Sequence, residues 1–207
     1  MEQKFVSASG KTLQYLRFVP EKEGKLPLVL YIHGAGSRGE DLAVLRDNPA
    51  LGGILAHGGK DAIVTAPQCH ADTWIELYET LLEFIDFQIR QPNVDDARVY
   101  ITGASMGGYT TWQLCMSRPH WFAAAVPICG GGMYWNAARL KDLPIWAFHG
   151  ALDTTVYAEE SIKMVRAVNQ NGGSAKLTVF PQDSHDSWTS AYGAEELWTW
   201  LFQQKRS

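Results

Sequence analysis

Short apolar runs that end at a glycine or a proline recur along the chain, and they constrain its fold more than any other feature. The runs are LPLVLYIHG, DAIVTAPQ, ARVYITG, WFAAAVPICG, LPIWAFHG and AKLTVFP. Runs this short and this apolar are typical of strands that are buried on both faces. Segments with helical spacing lie between most of them, and this alternation predicts a parallel sheet with helices on both faces.

The segments between the runs predict amphipathic helices. Residues 74–90 carry apolar side chains at every third or fourth position, and the pattern stops before Pro92. Further helices are predicted over MGGYTTWQLCMSRP, residues 156–170 and the closing AYGAEELWTWLFQQ. The opening FVSASGKTLQYLRFVP predicts a hairpin around Ser9-Gly10. These elements predict a single α/β domain over residues 1–207, with a mostly parallel central sheet of about 7–8 strands.

Composition and charge narrow the class of protein. Hydrophobic residues make up 46% of the chain and charged residues 19%, which suits a globular domain with a substantial core. The net charge of -4 and the lack of clustered Lys and Arg predict no nucleic-acid partner. Because no apolar stretch is long enough for a signal peptide or a membrane span, we expect no membrane association. Cys69, Cys115 and Cys129 stand in apolar contexts, so they predict buried free thiols in a cytoplasmic protein rather than disulfides or a zinc site.

Four of the predicted strands are followed directly by short segments that contain polar residues. These segments are His33-Gly34-Ala35-Gly36, Gly103-Ala104-Ser105-Met106-Gly107, His149-Gly150-Ala151-Leu152-Asp153 and Pro181-Gln182-Asp183-Ser184-His185. In open sheets of this type, ligands bind beyond the carboxyl ends of the strands. A serine, a carboxylate and a histidine therefore stand where a site is expected. The segment 34–48 shows no clear element, and a loop of that length in a compact domain is often functional.

The residues around Ser105 fit a sharp turn from a strand into a helix, known as a nucleophile elbow. Side chains two positions before and after the serine would collide with the strand and the helix, and both positions are glycine, Gly103 and Gly107. Gly108 allows the helix to pack closely on the sheet. The turn places the Ser105 hydroxyl at a helix N-terminus, where free N–H groups favour negative charge. The motif alone also fits a tight turn without chemistry, but the flanking strand and helix and the other strand-end residues favour a nucleophile.

These motifs resemble those of the α/β-hydrolase superfamily. The resemblance extends over nearly the whole chain and rests on LYIHGAG, VYITGASMGGYTTW, PIWAFHGALDTTV and SHDSW. The chain is most similar to small serine carboxylesterases, a group that includes esterases similar to dienelactone hydrolase and to prolyl oligopeptidase. It departs from dienelactone hydrolases, which use a cysteine nucleophile, in having Ser105. We expect no large cap domain, and the short stretch 130–142 is the candidate for a mini-lid.

The resemblance implies acyl transfer by a catalytic triad. Ser105 would attack the ester carbonyl, His185 would act first as base and then as acid, and Asp153 would orient and stabilise the imidazole. Backbone N–H groups of Ala35 and Met106 would form the oxyanion hole. The sequence contains no cluster of metal ligands and no phosphate-binding loop, so we expect no cofactor and no metal.

Other residues compete for two of these roles. Asp183 and Asp186 flank His185, but Asp153 is favoured because it follows a strand and precedes a helical segment. We interpret Asp186 as a candidate for bracing its own loop. The remaining histidines are His33, His57, His70, His120 and His149. Of these, His33 and His149 precede a glycine at a strand end and are interpreted as structural, and His185 is favoured because it follows the last strand.

Trp74 and Trp188 are the candidates for substrate contact, because binding sites are mostly apolar. Packing in the core is the alternative for Trp74. Tyr134 and Trp135, in the stretch 130–142, are further candidates. Without a large lid the site is expected to be shallow and open to water, which favours short-chain or small soluble esters over long lipids.

The predicted function is that of a serine carboxylesterase acting on a small-molecule ester. A thioesterase or peptidase-type acyl hydrolase would use the same chemistry. A non-catalytic binding protein on the same fold is an alternative from a different class, because fold does not imply function. Such a protein would not need Ser, Asp and His at the ends of three strands. The oligomeric state, monomer or homodimer, is left open.

Overall fold

A computed structural model describes residues 1–206, and its centre is one eight-stranded sheet. The strands are β1 Glu2–Val6, β2 Thr12–Phe18, β3 Leu26–Ile32, β4 Ile63–Pro67, β5 Val94–Ala104, β6 Ala124–Ile128, β7 Ile145–Gly150 and β8 Ala175–Phe180. Their order in the sheet is β1-β2-β4-β3-β5-β6-β7-β8. β2 pairs antiparallel with β1 and β4, and all other neighbours pair in parallel. The carboxyl ends of β3, β5, β6, β7 and β8 therefore meet at one edge.

Helices cover both faces of the sheet. They are α1 Leu42–Arg46, α2 Pro49–His57, α3 Tyr78–Ile89, α4 Met106–Ser117, α5 Glu159–Gln170, α6 Trp188–Gly193 and α7 Glu195–Gln203. Buried side chains of α3, α4 and α5 share one apolar core with one face of the sheet. Buried side chains of α1, α2, α6 and α7 form a second core with the other face. The predicted α/β architecture, its mostly parallel sheet of about 7–8 strands and its opening hairpin are confirmed.

Two predicted helices are shorter or broken in the structure. The helix predicted over 74–90 begins at Tyr78, because the preceding residues form tight turns in which Leu77 N–H donates to Trp74 and Tyr78 N–H to Ile75. The closing helix is two helices, α6 and α7, because the backbone is extended at Ala194.

The segment 34–48 contains more structure than its sequence predicts. It holds a 3-10 turn at Ala35–Ser37 and the short helix α1, and α2 follows it directly. The Asn48 side chain caps α2 by accepting a hydrogen bond from Leu51 N–H, and Pro49 occupies the first turn. Gly52 and Gly53 mask the helical pattern of α2, which explains why the sequence did not predict it.

The stretch 130–142 lies against the body of the domain. It contains a 3-10 helix at Tyr134–Leu140, whose Ala137 and Leu140 are buried, while Tyr134 and Trp135 are exposed. Within residues 1–206 there is no large cap domain, and no helix combines the length and apolarity needed to cross a membrane.

Candidate active site

Ser105 lies between β5 and α4 in a strained backbone conformation. Its φ is 57° and its ψ is -121°, a region that costs a non-glycine residue about 1–3 kcal/mol. Such strain persists only where the surroundings fix the backbone. Ser105 N–H donates to Ile128 O at 3.0 Å, and the Sγ atom of Cys129 also lies 3.2 Å from Ser105 N.

The glycines of the elbow allow backbones to approach without side chains between them. A Cβ atom at Gly103 would lie 2.5 Å from Gly107 O. A Cβ atom at Gly107 would lie 1.8 Å from Ile32 O, at the end of β3. At Gly108 it would lie 2.3 Å from Ile128 O, at the end of β6. The first turn of α4 is therefore packed directly on the backbones of two neighbouring strands.

His185 connects Ser105 to Asp153 through two hydrogen bonds. Its Nε2 atom lies 2.9 Å from Ser105 Oγ, and its Nδ1 atom lies 2.7 Å from Asp153 Oδ2. The three residues follow β5, β7 and β8, so the edge formed by parallel strands brings them together across long stretches of sequence. With Nδ1–H donating to the carboxylate, Nε2 is free to accept the Ser105 proton.

Asp153 is buried and held in its charged form. Burial raises the pKa of its carboxyl group, but hydrogen bonds from His185, Val156 N–H and Thr155 N–H outweigh that effect and leave the pKa below its usual value. The two backbone donors lie 2.9 and 2.8 Å from Asp153 Oδ1. They leave Asp153 Oδ2 for the imidazole of His185.

The competing acidic residues lie elsewhere. Asp186 Oδ1 accepts a hydrogen bond from Thr189 N–H at 3.2 Å, so it braces the start of α6. Asp183 makes no hydrogen bond to His185 among residues 1–206. Of the three carboxylates considered from sequence, Asp153 is the one that contacts the imidazole.

His149 is a buried neighbour of the Asp153 carboxylate. Its Nε2 atom donates to Val156 O at 2.8 Å and lies 3.4 Å from Asp153 Oδ2. Its Nδ1 atom lies 2.8 Å from Ser161 Oγ on α5. His149 thus ties the loop that carries Asp153 to the strand and helix on either side.

The amides of Ala35 and Met106 belong to the two segments that adjoin Ser105 in the structure. Met106 is the first residue of α4, and Ala35 opens the 3-10 turn after β3, so neither N–H has a partner within its helix. Neither amide has another protein partner among residues 1–206. The turn lies close to the serine, because a Cβ atom at Gly34 would be 3.4 Å from Ser105 Cβ. Two free donors beside a serine hydroxyl match the chemistry of an oxyanion hole.

His33 fixes the loop that carries Ala35. Its Nε2 atom accepts a hydrogen bond from Cys69 N–H at 2.9 Å, so its Nδ1–H donates to Gly34 O at 2.6 Å. Trp74 Nε1–H donates to His33 O at 3.0 Å. Burial lowers the pKa of His33 from 6.5 to about 4, although the bond to Gly34 opposes this effect, and Arg38 lowers it further.

Two cavities flank the serine. The first has a volume of about 320 Å³, and its lining includes Ala35, Ser37, Asn48, Ser105, His185 and Trp188. The second has a volume of about 480 Å³, and its lining includes Trp74, Ile75, Tyr78, Met106, Tyr109 and Met133.

Trp188 stands edge-on to the His185 ring at 5.6 Å between centroids. Trp74 is fully buried, and its indole N–H donates to His33 O. Its side chain forms part of the wall of the second cavity. Substrate contact by either tryptophan stays a prediction.

Cys129 lies close to Asp153 and His185. Its Sγ atom and ligand atoms of Asp153 and His185 all lie within 4.8 Å of one another, a spacing that could hold a metal ion. Burial raises the pKa of the Cys129 thiol to about 12, so the thiol is protonated when no cation is bound. The sulfur also contacts Ser105 N–H. All three cysteines are free and buried, as predicted.

The sheet order and the serine after β5 define an α/β-hydrolase fold. The chain matches the dienelactone hydrolase family over residues 59–192, more than half of its length, and belongs to that family.

The proteins that this chain resembles in sequence or in fold include esterases and a peptidase. The chain is 25% identical over 131 residues to acetylxylan esterase A of Emericella nidulans, covering 55% of this chain and 42% of that protein. It superimposes on a thermostable esterase with a TM-score of 0.90 and 34% identity, covering 100% of this chain and 63% of that one. An acylaminoacyl peptidase from Pyrococcus horikoshii shares the fold, with a TM-score of 0.75, 16% identity and coverage of 100% and 42%. The chain spans less than two thirds of the length of each of these proteins.

Sequence reasoning missed several residues of this region. The sequence indicates only that Cys129 is a buried thiol, and it gives no sign of the positive φ of 39° at this residue. Ser37 and Asn48 line the first cavity and lie in the segment 34–48. The length of that segment is the only sequence feature that indicates a functional loop there. Tyr109 and Met133 of the second cavity gave no signal of their own.

Substitution of Gly107 by alanine tests the packing of the elbow. Because the new Cβ would collide with Ile32 O, Gly107→Ala should lower the free energy of unfolding by about 3 kcal/mol or more, or prevent folding. Gly52→Ala is the matched control, since Gly52 lies inside α2 with open space around it. It should raise the free energy of unfolding by about 0.5–1 kcal/mol. Urea unfolding measures both, and equal stability of Gly107→Ala and wild type would contradict the packing described here.

Buried, neutral His33 should make stability depend on pH in a defined window. The contribution of neutral His33 to the free energy of unfolding is fully present above pH 6.5 and is lost as the pH falls towards about 4. The reason is that the unfolded chain then binds a proton that the folded protein excludes. The free energy of unfolding should fall by up to about 1.4 kcal/mol per pH unit from this one group. His33→Asn should remove that slope, and the same change at exposed His70 should keep it. An identical slope in His33→Asn and wild type would refute the assignment.

Proposed function

We propose that this protein is a serine carboxylesterase that hydrolyses small carboxylic esters through an acyl-enzyme on Ser105. The observation that carries the proposal is the unbroken chain of hydrogen bonds from Ser105 Oγ through the His185 imidazole to Asp153, at 2.9 and 2.7 Å. A serine hydroxyl is a weak nucleophile alone and becomes effective when an adjacent base takes its proton. Kinship with an acetylxylan esterase and with a thermostable esterase supports ester bonds as the target.

The first half of the reaction acylates the enzyme. Ser105 Oγ attacks the ester carbon as its proton passes to His185 Nε2, and the carbonyl oxygen gains negative charge. The N–H groups of Ala35 and Met106 bind that oxyanion. The bond to the alcohol oxygen then breaks, and the alcohol leaves with the proton from His185 Nε2. Asp153 stabilises the imidazolium throughout and stays ionised.

The second half restores the enzyme. A water molecule attacks the acyl carbon while His185 Nε2 takes one of its protons. The bond to Ser105 Oγ breaks, the proton returns to that oxygen, and the carboxylic acid is released. No group beyond the chain and water is needed to balance the reaction.

The site supports small substrates. A volume of about 320 Å³ beside Ser105 is at the lower end of ordinary small-molecule sites. The second cavity opens to solvent, since Ile75 and Tyr109 on its wall are 69% and 39% exposed. Methylene groups of a long acyl chain would therefore stay partly in water and gain little binding energy. The cytoplasmic location and the absence of nucleic-acid and membrane partners stay predictions.

A p-nitrophenyl ester series from acetate upward tests the activity and its chain-length limit. Wild type should hydrolyse the acetate and butyrate esters, and kcat/KM should fall steeply for longer chains. Ser105→Ala should lose the activity to within the background rate, because the nucleophile is gone. A rate that rises towards long chains would contradict the small-substrate assignment, and an equal rate in Ser105→Ala would contradict the mechanism.

Replacement of the buried carboxylate tests the triad separately. Asp153→Asn should lower kcat by roughly 10³- to 10⁴-fold, since the amide favours the wrong imidazole tautomer. Asp186→Asn is the matched control, because Asp186 also neighbours His185 in sequence but is exposed and bonded to Thr189 N–H. It should keep kcat near the wild-type value. Initial rates with p-nitrophenyl acetate measure both variants, and the reverse pattern would assign the acid to Asp186.

A further inference from the structure

The two cavities differ in which atoms of the site they reach. The first is lined by both Ser105 and His185, whereas the second is lined by neither and reaches the site only through Met106. During acylation, His185 Nε2 must give its proton to the alcohol oxygen, so that oxygen has to lie on the His185 side of the ester carbon. This geometry favours an alcohol group in the first cavity and an acyl group directed towards Met106.

The cavities also differ in their free hydrogen-bonding groups. In the second cavity, Tyr78 O–H is bonded to Ser117 Oγ at 2.7 Å, and Thr110 Oγ1 donates to Met106 O at 2.8 Å. The hydroxyls of Tyr78 and Thr110 are thus already used within the protein, and the remaining tyrosine of this wall, Tyr109, is 39% exposed. The first cavity contains a polar wall built from Tyr31, Ser37 and Asn48.

The orientation of the Asn48 amide fixes the direction of hydrogen bonds in that wall. Its Oδ1 atom accepts from Leu51 N–H at 3.0 Å and from Tyr31 O–H at 3.1 Å. The amide nitrogen, which can only donate, therefore faces Ser37 Oγ at 2.8 Å. Ser37 Oγ is the acceptor in this contact, so its own hydrogen is directed elsewhere.

Two donors at this wall are consequently left for a ligand. The Ser37 hydroxyl hydrogen and the second hydrogen of Asn48 Nδ2 have no partner among residues 1–206. Ser37 is only 3% exposed, and a nearly buried donor without an acceptor costs free energy that a bound ligand can recover. The flat ring of Trp188 stands in the same cavity beside His185.

We propose that the first cavity binds the alcohol part of the ester. The Ser37 hydroxyl, which the hydrogen bond from Asn48 orients, selects polyhydroxylated alcohols over plain aliphatic ones. A hydroxyl of a polyol or a sugar would accept the Ser37 hydrogen while the ester oxygen lies at His185 Nε2. This inference rests on the proposed esterase function and names the substrate class of that same site.

The test compares acetate esters that share the acyl group and differ in the alcohol. Glycerol monoacetate and n-propyl acetate have the same three-carbon alcohol with and without free hydroxyls, and a methyl pyranoside monoacetate adds a sugar ring. The readout is the ratio of kcat/KM for each hydroxylated ester to that for propyl acetate, from acetate release. Because each ratio compares two substrates of one enzyme sample, partial unfolding of a variant cancels.

Ser37→Ala should lower the ratio about 3- to 10-fold, as expected for loss of one neutral hydrogen bond. Ser184→Ala is the matched control, since Ser184 is an exposed serine beside His185 in sequence and does not line the cavity. It should keep the wild-type ratio. A fall for both hydroxylated esters assigns polyols in general, and a fall for the pyranoside alone assigns sugars.

The same assay separates failure of this inference from failure of the proposed function. If wild type hydrolyses p-nitrophenyl acetate and Ser105→Ala does not, the esterase mechanism stands. Under those conditions, an unchanged ratio in Ser37→Ala overturns the proposed selection by Ser37 and leaves the esterase function intact. If wild type hydrolyses none of the esters, the proposed function fails, and the inference that rests on it fails too.

Discussion

The contact between the first turn of α4 and the end of β3 is the constraint on which the site depends. A Cβ atom at Gly107 would lie 1.8 Å from Ile32 O, so α4 can begin here only if that position is glycine. This approach places Met106 N–H beside the loop that leaves β3 with Ala35. It also holds Ser105 in a backbone conformation that the residue would not adopt alone. Backbone contacts with β3 and β6 thus fix the elbow that carries Ser105 and Met106, and His33 fixes the loop that carries Ala35.

The loops around that contact are held by buried histidines rather than by regular structure. His33 joins the loop after β3 to Cys69 N–H, and Trp74 donates to its carbonyl group. His149 joins the loop of Asp153 to Val156 O and to Ser161 on α5. Such supporting hydrogen bonds hold the loops in place and leave the His185 imidazole bonded only to Asp153 and Ser105 among the described residues. The site therefore combines residues on loops with the rigidity of the sheet below them.

The sequence predicts the sheet and the positions of Ser105, Asp153 and His185 because each depends on local chemistry: short apolar strands, glycines around a turn and polar residues at strand ends. Ser37 and Asn48 escape prediction because their meeting depends on how α2 folds back over β3, and Gly52 and Gly53 hide that helix. The start of α3 escapes prediction for a local reason, because residues 74–78 form tight turns although their apolar spacing is helical. The contacts that the sequence leaves out around the first cavity join segments far apart in the chain.

Covalent trapping tests most directly whether Ser105 is a nucleophile that His185 activates. The intact protein is treated with a fluorophosphonate, which forms a stable adduct with an activated serine, and the labelled peptide is located by mass spectrometry. We predict one adduct per chain, on Ser105, with labelling slowed strongly in His185→Ala although the serine remains. Labelling of a different residue, or an equal rate of Ser105 labelling without the His185 imidazole, would contradict it.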